Sequence, residues 1–401
     1  MITFHSANTR AVNSERAANE CFETAFPDGV PADCRIIIFQ ASVGHKLEKL
    51  GAALKTLAPG AVVLGNTCGG VIGREGVGDS LHEVGIMAVC GRPEECVWAF
   101  SEDMHSANAA EKGMALAEEL RRRAPFAPAI YLLCPGIDMK NDAVLNAFRQ
   151  VYGDNAPIFG GTSGDNKMGI VDYQYADGQE GGHNAWAVVF ADESLRAVTR
   201  ATHGFKAFGE AMVATRVEGN RILELDGRPA GSVYRERLSV SPDSPLSETI
   251  PFGALAEALP PDLAEEYGNP HILRLISHIG EDGSMYYPVT LAPGTPLWLT
   301  TRDEDLIFSE QKVALAWMRG KIGSGDIAAV FQADCLARGH QMFERIVKEG
   351  LVGMIQEALA DKEGETPPWL GMYGFGEYAQ LGGRNMLHNY TTSLMALYRA
   401  R

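Results

Sequence analysis

Cys335, preceded by Asp334 and followed by Arg338, stands just after an apolar run, and Glu377, His388 and Asn389 lie in a later stretch rich in glycine and aromatics. These residue types support two kinds of chemistry. A cysteine becomes a nucleophile when a helix N-terminus lowers its pKa and a histidine takes its proton. Cys335 follows an expected strand over 328–331 and precedes an expected helix over 336–360, with His388 or His340 as the base. Alternatively, Arg338 forks onto a carboxylate and Glu377 pairs with an ammonium or guanidinium group. The plainer readings stay open beside these. Cys335 is then a small packing residue, Glu377 a surface carboxylate at a turn, and His388 a hydrogen-bonding residue at the start of a strand.

Four segments set glycine beside small polar residues directly after a strand signal. They are Gly65 to Gly70 (GNTCGG), Gly160 to Asp165 (GGTSGD), Asp334-Cys335 with Arg338, and Tyr373 to Glu377 (YGFGE) followed by His388 to Thr392. Glycine lets a ligand approach the main chain, so that N–H groups grip it, and Thr, Ser and Asn add hydroxyl and amide partners. Clefts outside the carboxyl ends of strands are where α/β folds hold ligands. The expected ligand-binding set is Asn66, Thr67, Gly161, Thr162, Ser163, Asp165, Cys335, Arg338, Tyr373, Glu377, His388 and Asn389. Each loop taken alone reads equally as a tight turn.

Sharper templates are missing. No segment reads GxxxxGK[ST], and the glycines of Gly73 to Gly78 are misplaced for a dinucleotide fingerprint. Ser163 has Gly161 two residues before it but Asp165 two after, which misses the GxSxG elbow. HExxH and paired CxxC are absent, so neither a metal nor a cofactor is expected.

The elements that must position these residues alternate in type. Expected strands cover 34–39, 61–64, 84–89, 96–100 and 129–133. Expected helices cover 45–58, 107–123 and 141–152. Strands 84–89 and 96–100 read as a hairpin around Gly91-Arg92-Pro93. Further strands are expected at 171–176, 185–191 and 197–202. Beyond Gly204 a hairpin is expected at 211–217 and 221–225, a helix over 230–238, and a helix over 303–321. Phe343, Val347, Leu351, Met354 and Ala358 form the core stripe of the long helix, and single strands close the chain at 369–378 and 390–398. The pattern implies a mixed α/β fold, with two sheet-plus-helix modules over 1–203 and 204–401 packed together.

Composition narrows the function. The 401 residues carry a net charge of −16, which repels phosphate backbones and argues against nucleic-acid binding. No run approaches the ~18 apolar residues of a membrane span, and the first residues do not read as a secretory signal. Seven unpaired-looking cysteines suit reduced thiols in a cytoplasm.

The sequence resembles the FIST family, named for F-box and intracellular signal transduction proteins. The likeness rests on Ile158 to Asp165, on Asp334-Cys335 with Arg338, on GMYGFGE over 371–377, on His388-Asn389 with Thr391, and on Glu224 to Ala230. One departure is Asn66-Thr67-Cys68-Gly69, where a richer serine/threonine element is expected. The resemblance implies a sensory module that binds small ligands, amino acids among them, and feeds a separate signalling protein, since no segment is left for an output domain. On this reading Arg338 takes a carboxylate and Glu377 an amine. The alternatives are a cysteine-dependent hydrolase or transferase using Cys335 and His388, and a protein-interaction scaffold.

Overall fold

The computed structural model describes residues 1–154, 156–166, 171–242, 244–249, 252–276, 278–339 and 343–400. Its strands form four sheets among the described residues. The first has the order Thr3–Thr9, Val84–Cys90, Cys34–Ser42, Val62–Cys68, Gln174–Ala176, Gln179–Gly181. Helices Ser14–Ala25 and Leu47–Leu57 cover it, burying Ala18, Phe22, Leu50 and Leu54 against Ile37, Phe39 and Val63. The asparagine side chain at Asn13 caps the first of these helices by accepting from the Arg16 N–H.

The second and third sheets are built jointly by both halves of the chain. The second sheet runs Arg384–His388, Glu377–Leu381, Ile158–Thr162, Ala129–Cys134, Ala185–Phe190, Cys96–Ser101. Its first two strands come from the carboxyl-terminal half. The third sheet runs Leu195–Thr202, Thr392–Arg399, Asp326–Cys335, Trp369–Gly374, Val71–Gly73, Gly76–Gly78, and its first strand and its last two come from the amino-terminal half. Each half thus completes a sheet of the other. Between the sheets lies one shared core, in which the Tyr131 ring meets Phe331 edge-on at 5.2 Å and stacks on Trp186 at 5.3 Å. A fourth sheet, built from strands between Phe205 and Arg302, packs on its own apolar cluster around Met212, Leu225 and Tyr234.

Several expectations hold closely. The hairpin pairs Ala214 with Leu225, and helix Asn141–Tyr152 stops at Gly153, which takes a φ of 81°. Others are corrected. Val84–Cys90 and Cys96–Ser101 are not a hairpin but belong to different sheets. Val84–Cys90 is buried along its whole length and finds neighbours on both sides, so the chain between the two strands passes from one sheet to the other. The long helix spans Arg345–Leu359 and does not start at Leu336, where a short 3₁₀ turn covers Leu336–Arg338. Its buried face is Lys348, Leu351, Val352, Ile355 and Leu359, turned from the expected stripe so that Lys348 reaches Asp79. The expected strand over 369–378 is two strands in two sheets, with Phe375 and Gly376 at the crossing.

Candidate functional site

The crossing at Phe375-Gly376 gathers the four glycine loops. Thr162 N–H donates to the Gly376 carbonyl at 2.9 Å, and Gly164 N–H to the Thr67 carbonyl at 3.1 Å. Gly69 N–H donates to the Tyr373 carbonyl at 2.8 Å, Tyr373 N–H to the Gly70 carbonyl at 3.0 Å, and Cys335 N–H to the Thr391 carbonyl at 2.9 Å. Glycine is required here for close approach. A Cβ on Gly160, whose φ is 117°, would stand 2.1 Å from the Leu132 carbonyl, and one on Gly161 would stand 2.2 Å from that of Gly376. Most of the polar loop chemistry therefore ties main chain to main chain.

Beside this knot lies a cleft of about 690 Å³ between the two halves of the chain. Thr162, Cys335, Leu336, Ala337, Gly376 and Asn389 form one side. Ser106 and the segment Gly136 to Met139 form another. Leu246, Leu275, Ile276, Tyr286, Tyr287 and Pro288 close it. The lining is mainly apolar with a few polar groups, the usual make-up of a small-molecule site. Thr162 is 2% exposed and its Oγ1 has no hydrogen-bond partner. Asn389 is held from both ends, donating to the Phe375 carbonyl at 3.1 Å and accepting from Leu275 N–H at 3.3 Å. Behind the wall, buried Asp172 accepts from the N–H groups of Gly136 and Ile137, and burial pushes its pKa up.

Of the residues singled out from the sequence, Thr162, Cys335 and Asn389 line the cleft. The others lie in or behind its supporting layer. Gly161 pairs with Glu377 across neighbouring strands. The Ser163 hydroxyl donates to the Cys134 carbonyl at 3.3 Å and accepts from Gln174 at 2.5 Å. Asp165 accepts from Val171 N–H, Asn66 donates to the Thr67 carbonyl, and the Thr67 hydroxyl accepts from Tyr173 N–H. Tyr373 is buried behind the cleft. His340 lies outside the described residues.

Arg338 and Glu377 do not reach the cleft. Arg338 is 1% exposed, donates to the carbonyls of His203 and Tyr390, and packs over the Phe343 ring at 5.2 Å. Glu377 is fully buried, with one carboxyl oxygen accepting from the Thr391 N–H and hydroxyl and the other unpartnered. Burial holds its pKa well above the usual carboxylate range. His388 sits opposite it, near the Tyr267 hydroxyl at 3.3 Å, with its pKa pushed down to about 3 by burial. The premise for an activated Cys335 is also missing. The residue ends a strand, no α-helix begins at it, and burial drives its thiol pKa well up.

The walls at 136–139 and at 275, 276, 278 and 286–288 carry none of the residues expected from the sequence. Cys134-Pro135-Gly136-Ile137-Asp138 follows a strand just as the other glycine loops do, and that signal was available. Residues 275, 276, 278 and 286–288 lack a motif and reach the cleft only through the folding of the fourth sheet. Among the described residues, no helix is long and apolar enough to cross a membrane, and no group of His, Cys, Asp and Glu is placed to hold a metal ion.

Among solved structures, a cyanuric acid hydrolase matches over the full length of both chains at 11% identity with a TM-score of 0.36. The cyanuric acid hydrolase of A. caulinodans matches at 8% identity with a TM-score of 0.36, also over both full lengths. At these values the likeness does not establish a shared fold. Uncharacterised proteins of Mycobacterium bovis and Mycobacterium tuberculosis are each 26% identical over 208 residues, 51% of this chain and 51% of theirs. The chain thus spans about half the length of the curated relatives it matches. The FIST N domain model matches residues 35–228 and the FIST C domain model residues 230–380. FIST domains are regarded as small-ligand sensory domains of signalling proteins. Matched by both models over most of its length, the chain belongs to the FIST family.

Proposed function

We propose that the protein is an intracellular sensor that holds a small metabolite in the cleft between its halves, 1–203 and 204–401, and passes the bound state to a separate signalling protein. The observation that carries this reading is the Thr162 hydroxyl: buried, unpartnered and part of the lining of a hollow of about 690 Å³. An orphaned buried hydroxyl costs about 1–3 kcal/mol, and a ligand group that bonded it would recover that cost. Because the cleft draws its walls from both halves, a bound ligand would alter how firmly they hold together. The free, buried cysteines favour a reducing cytoplasm.

Calorimetry and thermal-shift measurements with a panel of amino acids, their amines and related metabolites test the reading. Binding should disappear in Ile137→Trp, which fills the cleft from a half-buried wall position. Thr162→Val removes the hydroxyl at nearly constant shape. It should weaken binding about tenfold while leaving the melting temperature equal or higher. Ligand binding that Ile137→Trp leaves untouched would place the site elsewhere.

A further inference from the structure

We propose that the cleft selects a small organic cation, an amine on an apolar body, and rejects ligands whose polar end is a carboxylate. The inference rests on the cleft being the ligand site and concerns the charge of what enters it. Among the described lining residues there is no lysine or arginine; the one carboxylate is that of Asp138 and the one histidine is His278. Arg338, the cation closest in sequence to the Cys335 wall, is turned away into two carbonyls. The N–H groups of Gly136 and Ile137, which would otherwise suit an anion, are already taken by the Asp172 carboxylate. A ligand carboxylate would therefore meet no lysine or arginine, in a chain of net charge −16.

Asp138 is placed to receive a cation. It takes a left-handed φ of 50° at the mouth of the cleft, and one carboxyl oxygen accepts from the Ser106 hydroxyl at 2.5 Å. No lysine or arginine pairs with it among the described residues. An ammonium group between Asp138 and the inner hydroxyl of Thr162 would find a charge and an acceptor. The apolar body would lie against Ile137, Leu275 and Phe375.

Two matched sets of probes decide the matter by calorimetry and thermal shift. The first is phenethylamine, phenylalanine and 3-phenylpropionate; the second is isoamylamine, leucine and 4-methylpentanoate. In at least one set the amine should bind at least tenfold tighter than the acid. Asp138→Asn, which tolerates the left-handed backbone, should cut amine affinity about tenfold. Glu210→Gln, an exposed charge outside the cleft lining, should not. Acid or amino acid binding as tightly as the amine, or an Asp138→Asn variant that binds the amine normally, would overturn the inference and leave the cleft standing as a ligand site. No binding by any of the six compounds would overturn both.

Discussion

Glu377 and His388 face each other across two antiparallel strands, both fully buried, and each has one side-chain atom without a hydrogen-bond partner. Burial acts on them in opposite senses, raising the carboxyl pKa and lowering that of the ring to about 3, so both neutral forms are favoured. For Glu377 the folded pKa lies above the unfolded value of about 4.3. Its contribution is therefore complete below about pH 4.3 and is lost as pH rises toward the folded pKa. For His388 the folded pKa lies below about 6.5, so its contribution is present above that pH and is lost as pH falls toward about 3. Glu377→Gln mimics the neutral acid. Its stability relative to wild type should grow with pH above about 4.3, by at most about 1.4 kcal/mol per unit. Urea melts at pH 5, 7 and 9 measure this, and a difference independent of pH would show that the carboxyl is ionised in the fold.

Arg338 offers a separation of structure from ligand chemistry. Its guanidinium satisfies two main-chain carbonyls and covers the Phe343 ring. Removing a charged partner from buried hydrogen bonds costs about 2–3 kcal/mol. Arg338→Ala should therefore lower stability by about that amount. At temperatures where the variant remains folded, its affinity for any cleft ligand should be close to that of wild type. A variant of normal stability that had lost binding would return Arg338 to the site.

The contrast with the sequence reading has a physical basis. Strands such as Cys34–Ser42 and Ala129–Cys134 are legible because nearly every residue in them is buried, which leaves the apolar runs Ile36 to Phe39 and Ala129 to Cys134. Their partners were less legible. Glu377–Leu381 joins Ile158–Thr162 from more than two hundred residues away, and no local periodicity encodes that exchange. The glycine loops were found because Gly160 and Gly161 answer to a steric demand that any tight backbone crossing makes. Residue type alone could not say which way Arg338 and Glu377 point, since a buried guanidinium binds a main-chain carbonyl as readily as it binds a ligand. Asp138 stands two residues after Gly136, which follows a strand as the other glycine loops do.

The cysteines should differ in reactivity in a defined order. All seven are buried and free. Cys34 alone has its pKa lowered, by a hydrogen bond with Cys90, and it stands at the start of its strand. Cys335 is raised far above the usual thiol range by burial. Under timed iodoacetamide treatment of native protein at pH 8, followed by peptide mass spectrometry, Cys34 should label first. Cys335 should label only as fast as the protein unfolds. Rapid modification of Cys335 in the folded state would revive a nucleophilic role.

In the second sheet, the exchange of strands between the halves depends on Gly161. A Cβ there would stand 2.2 Å from the Gly376 carbonyl and 3.3 Å from the Glu377 Cα, and both belong to the opposing main chain. No rotamer change relieves such a contact, so the strands must part. Because Glu377–Leu381 and Arg384–His388 reach the second sheet through this pairing, Gly161→Ala should cost about 3 kcal/mol or more and expose that hairpin to proteolysis. Gly350→Ala is the matched comparison. It lies within helix Arg345–Leu359 with open space where the Cβ would go, so it should stabilise by about 0.5–1 kcal/mol. Thermal melts and limited proteolysis of the two variants would show whether this backbone approach holds the hairpin to the second sheet. If Gly161→Ala melts with the wild type and its hairpin resists protease, the hairpin is held to the second sheet by other contacts.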